Sequence, residues 1–149
     1  MHIELPEDIA IELTSEEPIE RSIARRPVAD EKAIRNALSL IENSKSPILV
    51  LGGGANRTLT RKMLFDFIGK TNIPFVTTQL GKGVVDERHL CFVGCAALSS
   101  GDFVHSAINK SDLIITVGHD DVEKPPFFMK PDGPKAVSYT HLRAHETLT

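Results

Sequence analysis

The sequence predicts a three-layer α/β fold, a parallel sheet with helices on both faces. Two apolar runs carry the sheet half of that prediction. Ile48-Leu49-Val50-Leu51 and Asp112-Leu113-Ile114-Ile115-Thr116-Val117-Gly118 lack the alternation of a half-exposed strand, and a near-continuous apolar strand is one buried on both faces. The helical half comes from the segments between strands, where apolar residues recur at helical spacing, as crossover helices require.

In chain order, His2-Ile3-Glu4-Leu5 alternates like a strand fragment, and Pro6 ends it because proline cannot donate to a ladder. Residues 6–29 are rich in Pro, Glu and Arg without a helical or strand period, which predicts a linker. Asp30 is placed to cap a helix whose stripe is Ile34, Ala37, Leu38 and Ile41, closed by Asn43, Ser44 and Pro47. After the strand at 48–51 and the triplet Gly52-Gly53-Gly54, a second helix is predicted from Thr60 to Lys70 with Met63, Leu64, Phe67 and Ile68 inward. Ile73-Pro74-Phe75-Val76-Thr77-Thr78 follows as a strand, with its proline near the start, where a missing donor is tolerated. Gln79-Leu80-Gly81-Lys82-Gly83 is its exit loop, Cys91 to Gly94 a further short strand, and Asp102 a cap for a helix through Val104, Ala107 and Ile108. Strands alternating with helices give a Rossmann-like parallel sheet with right-handed crossovers.

Composition narrows the function classes. Of 149 residues, 41% are hydrophobic, one is Tyr and none is Trp, and the formal net charge is −3 at pH 7. No basic stripe occurs, so no nucleic-acid partner is expected. The apolar runs fall short of the roughly 20 residues that span a bilayer, and the N-terminus lacks the charged and apolar regions of a signal peptide. A cytoplasmic protein with no membrane partner is the expectation. Cys91 and Cys95 have no partner pair and read as reduced packing residues. His141, His145 and Glu146 do not follow the zincin order, in which the glutamate directly follows the first histidine, and no metal site is expected there.

The glycine triplet is the strongest functional signal. Glycine allows positive φ and close approach to the main chain, and a following helix turns N–H groups and a partial positive charge toward whatever sits there. A dinucleotide fingerprint needs a third Gly or Ala, where this chain has Arg57, and an acid near the end of the next strand, where it has Thr77-Thr78-Gln79. A P-loop needs Gly-Lys-Ser or Gly-Lys-Thr, which is missing after these glycines. A phosphate pocket and a tight helix-on-strand packing both remain open. In a parallel sheet the ligand side is the carboxyl edge, where the loops at Gly52, Gln79 and Gly118 would meet. The candidate cofactor-binding residues there are Gly52, Gly53, Gly54, Asn56, Gln79, Gly81, Gly118 and His119.

Read together, these segments resemble a family. His2 to Ala10 looks like the segment closing the first, pyrimidine-binding domain of thiamine diphosphate enzymes of the acetolactate synthase type. The glycine turn, Gln79-Leu80-Gly81-Lys82-Gly83, and Ser111-Asp112 through Phe128-Met129 look like their central domain, in the same order. The resemblance implies residues 1–10 as the end of a preceding domain, 11–29 as linker and 30–135 as a central domain. It implies condensation of two pyruvates to 2-acetolactate and CO2 by a parent enzyme, with thiamine diphosphate and Mg2+ held outside this chain. The activating glutamate belongs to the first domain and the Gly-Asp-Gly metal motif to the third, and Gly101-Asp102-Phe103 lacks the second glycine. This chain alone is therefore expected to be inactive, its partners being the N- and C-terminal domains of the same enzyme in a homo-oligomer. Val117 to Glu123 resembles the catabolic, flavin-independent branch. Biosynthetic members place an FAD-contacting arginine where His119 stands, which argues against FAD.

Residues 136–149 depart from the family pattern and look like translated adapter or vector sequence, although Val137 to Tyr139 suits an open sheet edge. The alternative function is an NAD-, FAD- or ADP-binding Rossmann-like module of an unrelated enzyme. Glu123-Lys124-Pro125-Pro126-Phe127-Phe128-Met129 reads as a loop packing aromatics on a neighbouring domain.

Overall fold

A computed structural model describes residues 4–20, 29–96, 101, 103–120, 123, 135–139 and 144–146. The sheet is β1 (Pro47–Leu51), β2 (Phe75–Thr78), β3 (Phe92–Ala96), β4 (Leu113–Val117), β5 (Lys135–Tyr139) and β6 (Ala144–Glu146), in spatial order β3-β2-β1-β4-β5-β6. β1 to β5 pair in parallel and β6 is antiparallel to β5. The helices are α1 (Glu7–Ala10), α2 (Glu31–Asn43), α3 (Thr58–Thr71) and α4 (Phe103–Lys110).

The continuous apolar run of β1 divides between two cores because successive side chains point to opposite faces. Leu49 and Leu51 join Phe75, Leu113 and Ile115 under Leu64 and Ile68 of α3, with Leu40 and Ile41 of α2 packed against them. Ile48 and Val50 join Val76 and Ile114 under Val104 and Ile108 of α4. Both faces are thus covered, as a fully apolar parallel strand requires.

Asp30 caps α2, its carboxylate accepting from the Ala33 N–H at 3.4 Å. The face that α2 turns inward differs from the stripe expected. Ala33, Ala37, Leu40 and Ile41 are half-buried, whereas Ile34 and Leu38 are 44% and 50% exposed. Two alanines lie on the covered side, and a pattern weighted toward large apolar residues misplaces it by part of a turn. In α3, Leu64 and Ile68 are buried and Phe67 packs against the core, but Met63 is 61% exposed. β3 begins at Phe92 rather than Cys91 and runs through Ala96, with a register shift against Phe75 and Val76. At the N-terminus Glu4 and Leu5 are not in a strand; the residues after Pro6 form the single turn α1, with both acids Glu7 and Asp8 at its start. His2 and Ile3, the cap expected at Asp102 and residues 124–129 lie outside the described residues.

Candidate functional site

The strand order places the topological switch point between β1 and β4. The chain leaves β1 for β2 on one side, and the connection from β3 to β4 crosses to the other, which opens a crevice at the carboxyl ends of β1 and β4. Both strands end in glycine: β1 runs into Gly52-Gly53-Gly54, and β4 into Gly118-His119. The loop after β2 brings Leu80 and Gly81 alongside. The three loops expected to meet do meet.

They meet backbone against backbone. A Cβ on Gly81 would lie 2.0 Å from the Leu51 carbonyl oxygen, and one on Gly52 would lie 2.5 Å from that of Gly118. A Cβ on Gly118 would lie 2.1 Å from the Ala55 nitrogen, and Gly118 also holds φ at 62°, the left-handed region that favours glycine. These glycines are required by the approach of one loop to another. Of the eight candidate residues, Gly52, Gly81, Gly118 and His119 are buried, Gly53 and Gly54 are half-buried, and Asn56 and Gln79 are exposed.

The donors of the glycine turn can be followed one by one. A 3₁₀ turn, Gly53–Ala55, separates β1 from α3, so the glycines do not form the first turn of that helix. The Gly52 N–H donates to the Val117 carbonyl at 2.9 Å, Gly54 to Gly118 at 2.8 Å and Ala55 to Gly52 at 3.1 Å. Asn56 donates to Gly53 at 3.0 Å and Arg57 to Ala55 at 2.8 Å. The remaining donor, the Gly53 N–H, goes to Glu123 Oε1 at 2.9 Å. Every N–H from Gly52 to Arg57 therefore has an acceptor within the chain.

Glu123 is the residue that sequence reasoning missed. Its side chain is nearly buried, the residue being 7% exposed. Oε2 accepts from the Thr78 hydroxyl at 2.5 Å, and the same hydroxyl accepts from the Gly81 N–H at 3.0 Å. One carboxylate thus joins the loops after β1, β2 and β4, through charge-assisted hydrogen bonds, the stronger kind. A dinucleotide fold would place its acid at the end of β2. Here the carboxylate beside Thr78 comes from a loop 45 residues later, brought back by a turn in which the Glu123 N–H donates to the Asp120 carbonyl at 2.9 Å. The signal in the sequence was an acid closing a loop that opens on Gly118.

Among the described residues no three His, Cys, Asp or Glu side chains are grouped to hold a metal. With the glycine-turn donors already used and no Gly-Asp-Gly in the sequence, the residues present do not fit a diphosphate and magnesium site. An open cleft of about 330 Å³ lies between Thr58, Arg61, Lys62 and Phe65 of α3 and residues 84–86, and none of the eight candidate residues lines it. No described helix is long and apolar enough to cross a membrane.

Residues 34–142 match the family described as thiamine pyrophosphate enzyme, central domain. Pyruvate decarboxylase isozyme 3 of Saccharomyces cerevisiae is 37% identical over 106 residues, 69% of this chain and 19% of that protein. A 3D-(3,5/4)-trihydroxycyclohexane-1,2-dione hydrolase of Geobacillus thermodenitrificans is 36% identical over 87 residues, 58% of this chain and 14% of its own length. The probable acetolactate synthase large subunit of Methanococcus aeolicus is 30% identical over 132 residues, 79% of this chain and 21% of that one. The chain thus spans about a fifth or less of these relatives. Among solved structures, one assigned to the thiamin diphosphate-dependent enzymes, from Mycobacterium smegmatis, shares the fold with a TM-score of 0.64 at 22% identity, covering 83% of this chain and 25% of its own. The parallel sheet, the glycine-bearing carboxyl edge and the match over most of the chain agree: this chain belongs to the thiamine pyrophosphate enzymes, as their central domain.

Proposed function

We propose that the chain is the central domain of an acetolactate synthase of the catabolic, flavin-independent type. The parent enzyme joins two pyruvates into 2-acetolactate with release of CO2. Thiamine diphosphate, which supplies carbanion stabilisation when bound, and Mg2+ belong to the flanking domains of a homo-oligomer. The central domain holds those domains in place and turns nothing over alone. The observation that carries this reading is the loop from Val117 to Glu123. By the resemblance, it has His119 where the biosynthetic branch would have a flavin-contacting arginine, and its Glu123 carboxylate accepts from the glycine turn. The match to the acetolactate synthase large subunit of Parasynechococcus marenigrum, 30% identical over 78% of the chain, gives further support.

Since decarboxylases and hydrolases are also relatives, the product is the deciding measurement. The intact reading frame, supplied with pyruvate, thiamine diphosphate and magnesium, is expected to release acetolactate and CO2. Acetaldehyde as the main product, or no consumption of pyruvate, would overturn the assignment. The 149-residue chain treated identically is expected to form no acetolactate.

We also propose that residues 136–149 are not native to this domain. β5 nevertheless pairs with β4 from Leu113 opposite Lys135 to Val117 opposite Tyr139, and the family match ends at residue 142, inside this tail. β-branched and aromatic residues suit any open sheet edge, which lets a foreign segment take the place. Re-sequencing the locus past the codon for Lys135 tests this; an identical native continuation would remove the idea.

A further inference from the structure

We propose that Glu123 is the resident anion of the glycine turn, and that it closes the crevice at the switch point against phosphate-bearing ligands. The inference rests on the geometry of the carboxyl edge and is independent of which reaction the parent enzyme performs. A phosphate at such a turn would need main-chain N–H groups directed at it. Of the six from Gly52 to Arg57, five are held by main-chain carbonyls: those of Ala55, Asn56 and Arg57 within the turn itself, and those of Gly52 and Gly54 by Val117 and Gly118 across the junction. The sixth, Gly53, is the one a ligand could claim, and Glu123 Oε1 holds it at 2.9 Å.

The carboxylate is itself fixed from the other side. The Thr78 hydroxyl donates to Oε2, and that hydroxyl is oriented by accepting from the Gly81 N–H. Both oxygens therefore have a donor, and the group is almost fully shielded from water. Leu80 completes the closure, with its Cβ 3.0 Å from where a Cβ on Gly53 would be. A second anion at this position would face a buried carboxylate that has no ion-pair partner among the described residues, across a few ångströms of low-dielectric space, which is strongly unfavourable. The charge that a nucleotide would bring is already built into the chain.

The test compares the wild-type chain with Glu123→Gln and Glu123→Ala in calorimetric titrations with inorganic pyrophosphate and with ADP. Expected is no saturable binding by wild type and at least tenfold tighter binding by both variants, since each removes the charge. Equal affinities in all three proteins, including no binding in any, would overturn the proposal, as would tighter binding by wild type. If Glu123→Ala does not fold, the near-isosteric Glu123→Gln decides alone. In that variant the Gly53 amide proton should also move upfield in the NMR spectrum as its charged acceptor is lost, and an unmoved Gly53 resonance would equally sink the idea.

Discussion

Gly118 and Gly83 show how differently two glycines of positive φ can matter. Gly83, at φ 76°, has nothing within 4 Å of the place a Cβ would occupy, so Gly83→Ala should cost only the left-handed backbone, about 1 kcal/mol. Gly118→Ala adds a collision with main-chain atoms of Ala55 and Gly54 that no side-chain rotation relieves, and we expect a loss of more than about 3 kcal/mol. Urea denaturation of both variants checks the contrast; equal costs would mean that the loops are not interlocked. Thr77 offers the opposite case. Its hydroxyl is fully buried and has no hydrogen-bond partner among the described residues. Thr77→Val should therefore raise stability by about 1 kcal/mol, and a loss on denaturation would reveal a partner for the hydroxyl. The glycines were visible in the sequence, but their purpose was not. A glycine that meets a ligand and one that meets the Gly118 carbonyl look alike until the distant loop is in place. Glu123 escaped notice for the same reason, since its two partners lie 70 and 45 residues away.

At the level of elements, one exposed side chain helps to pin the joint between α2, β1 and β4. Asp112, just ahead of β4, accepts from the Ser44 hydroxyl, from the Lys45 N–H at 2.8 Å and from the Ser46 N–H at 3.0 Å. The Ser44 hydroxyl first, and then the Lys45 N–H, hold its carboxyl down at about 2, against an ordinary value of 3.8. A depressed carboxyl stabilises the fold in its ionised form, so the contribution is complete above about pH 4 and is lost as pH falls toward 2. Asp112→Asn should lower the melting temperature at neutral pH and converge with wild type near pH 2, as followed by circular dichroism across that window. Asp86, held down by its fork with Arg88, loses its contribution over the same range in both proteins and leaves the difference intact. Strand and helix identities were largely readable because β1 and β4 are apolar almost throughout and Asp30 is a favoured cap residue. Helix faces were less so. In α2 the covered side includes Ala33 and Ala37, which hydrophobicity alone ranks below Ile34 and Leu38. The 3₁₀ turn that delays α3 left no pattern to read, because three glycines and an alanine fit many backbones.

The whole molecule presents a sheet covered on both faces, with three loops locked together where a Rossmann-like domain would ordinarily receive its ligand. The fold was legible from alternation and periodicity, and the ordered segments carried the family resemblance. The state of the carboxyl edge was not legible, because it depends on which donors remain unclaimed after folding. A central domain that serves as a scaffold between catalytic domains has no need of a nucleotide, whereas an independent nucleotide-binding module does. The most direct discrimination is calorimetric titration of the 149-residue chain with NAD, ADP and FAD in turn. The scaffold account predicts no saturable binding of any of the three up to millimolar concentration, and micromolar binding of NAD would contradict it.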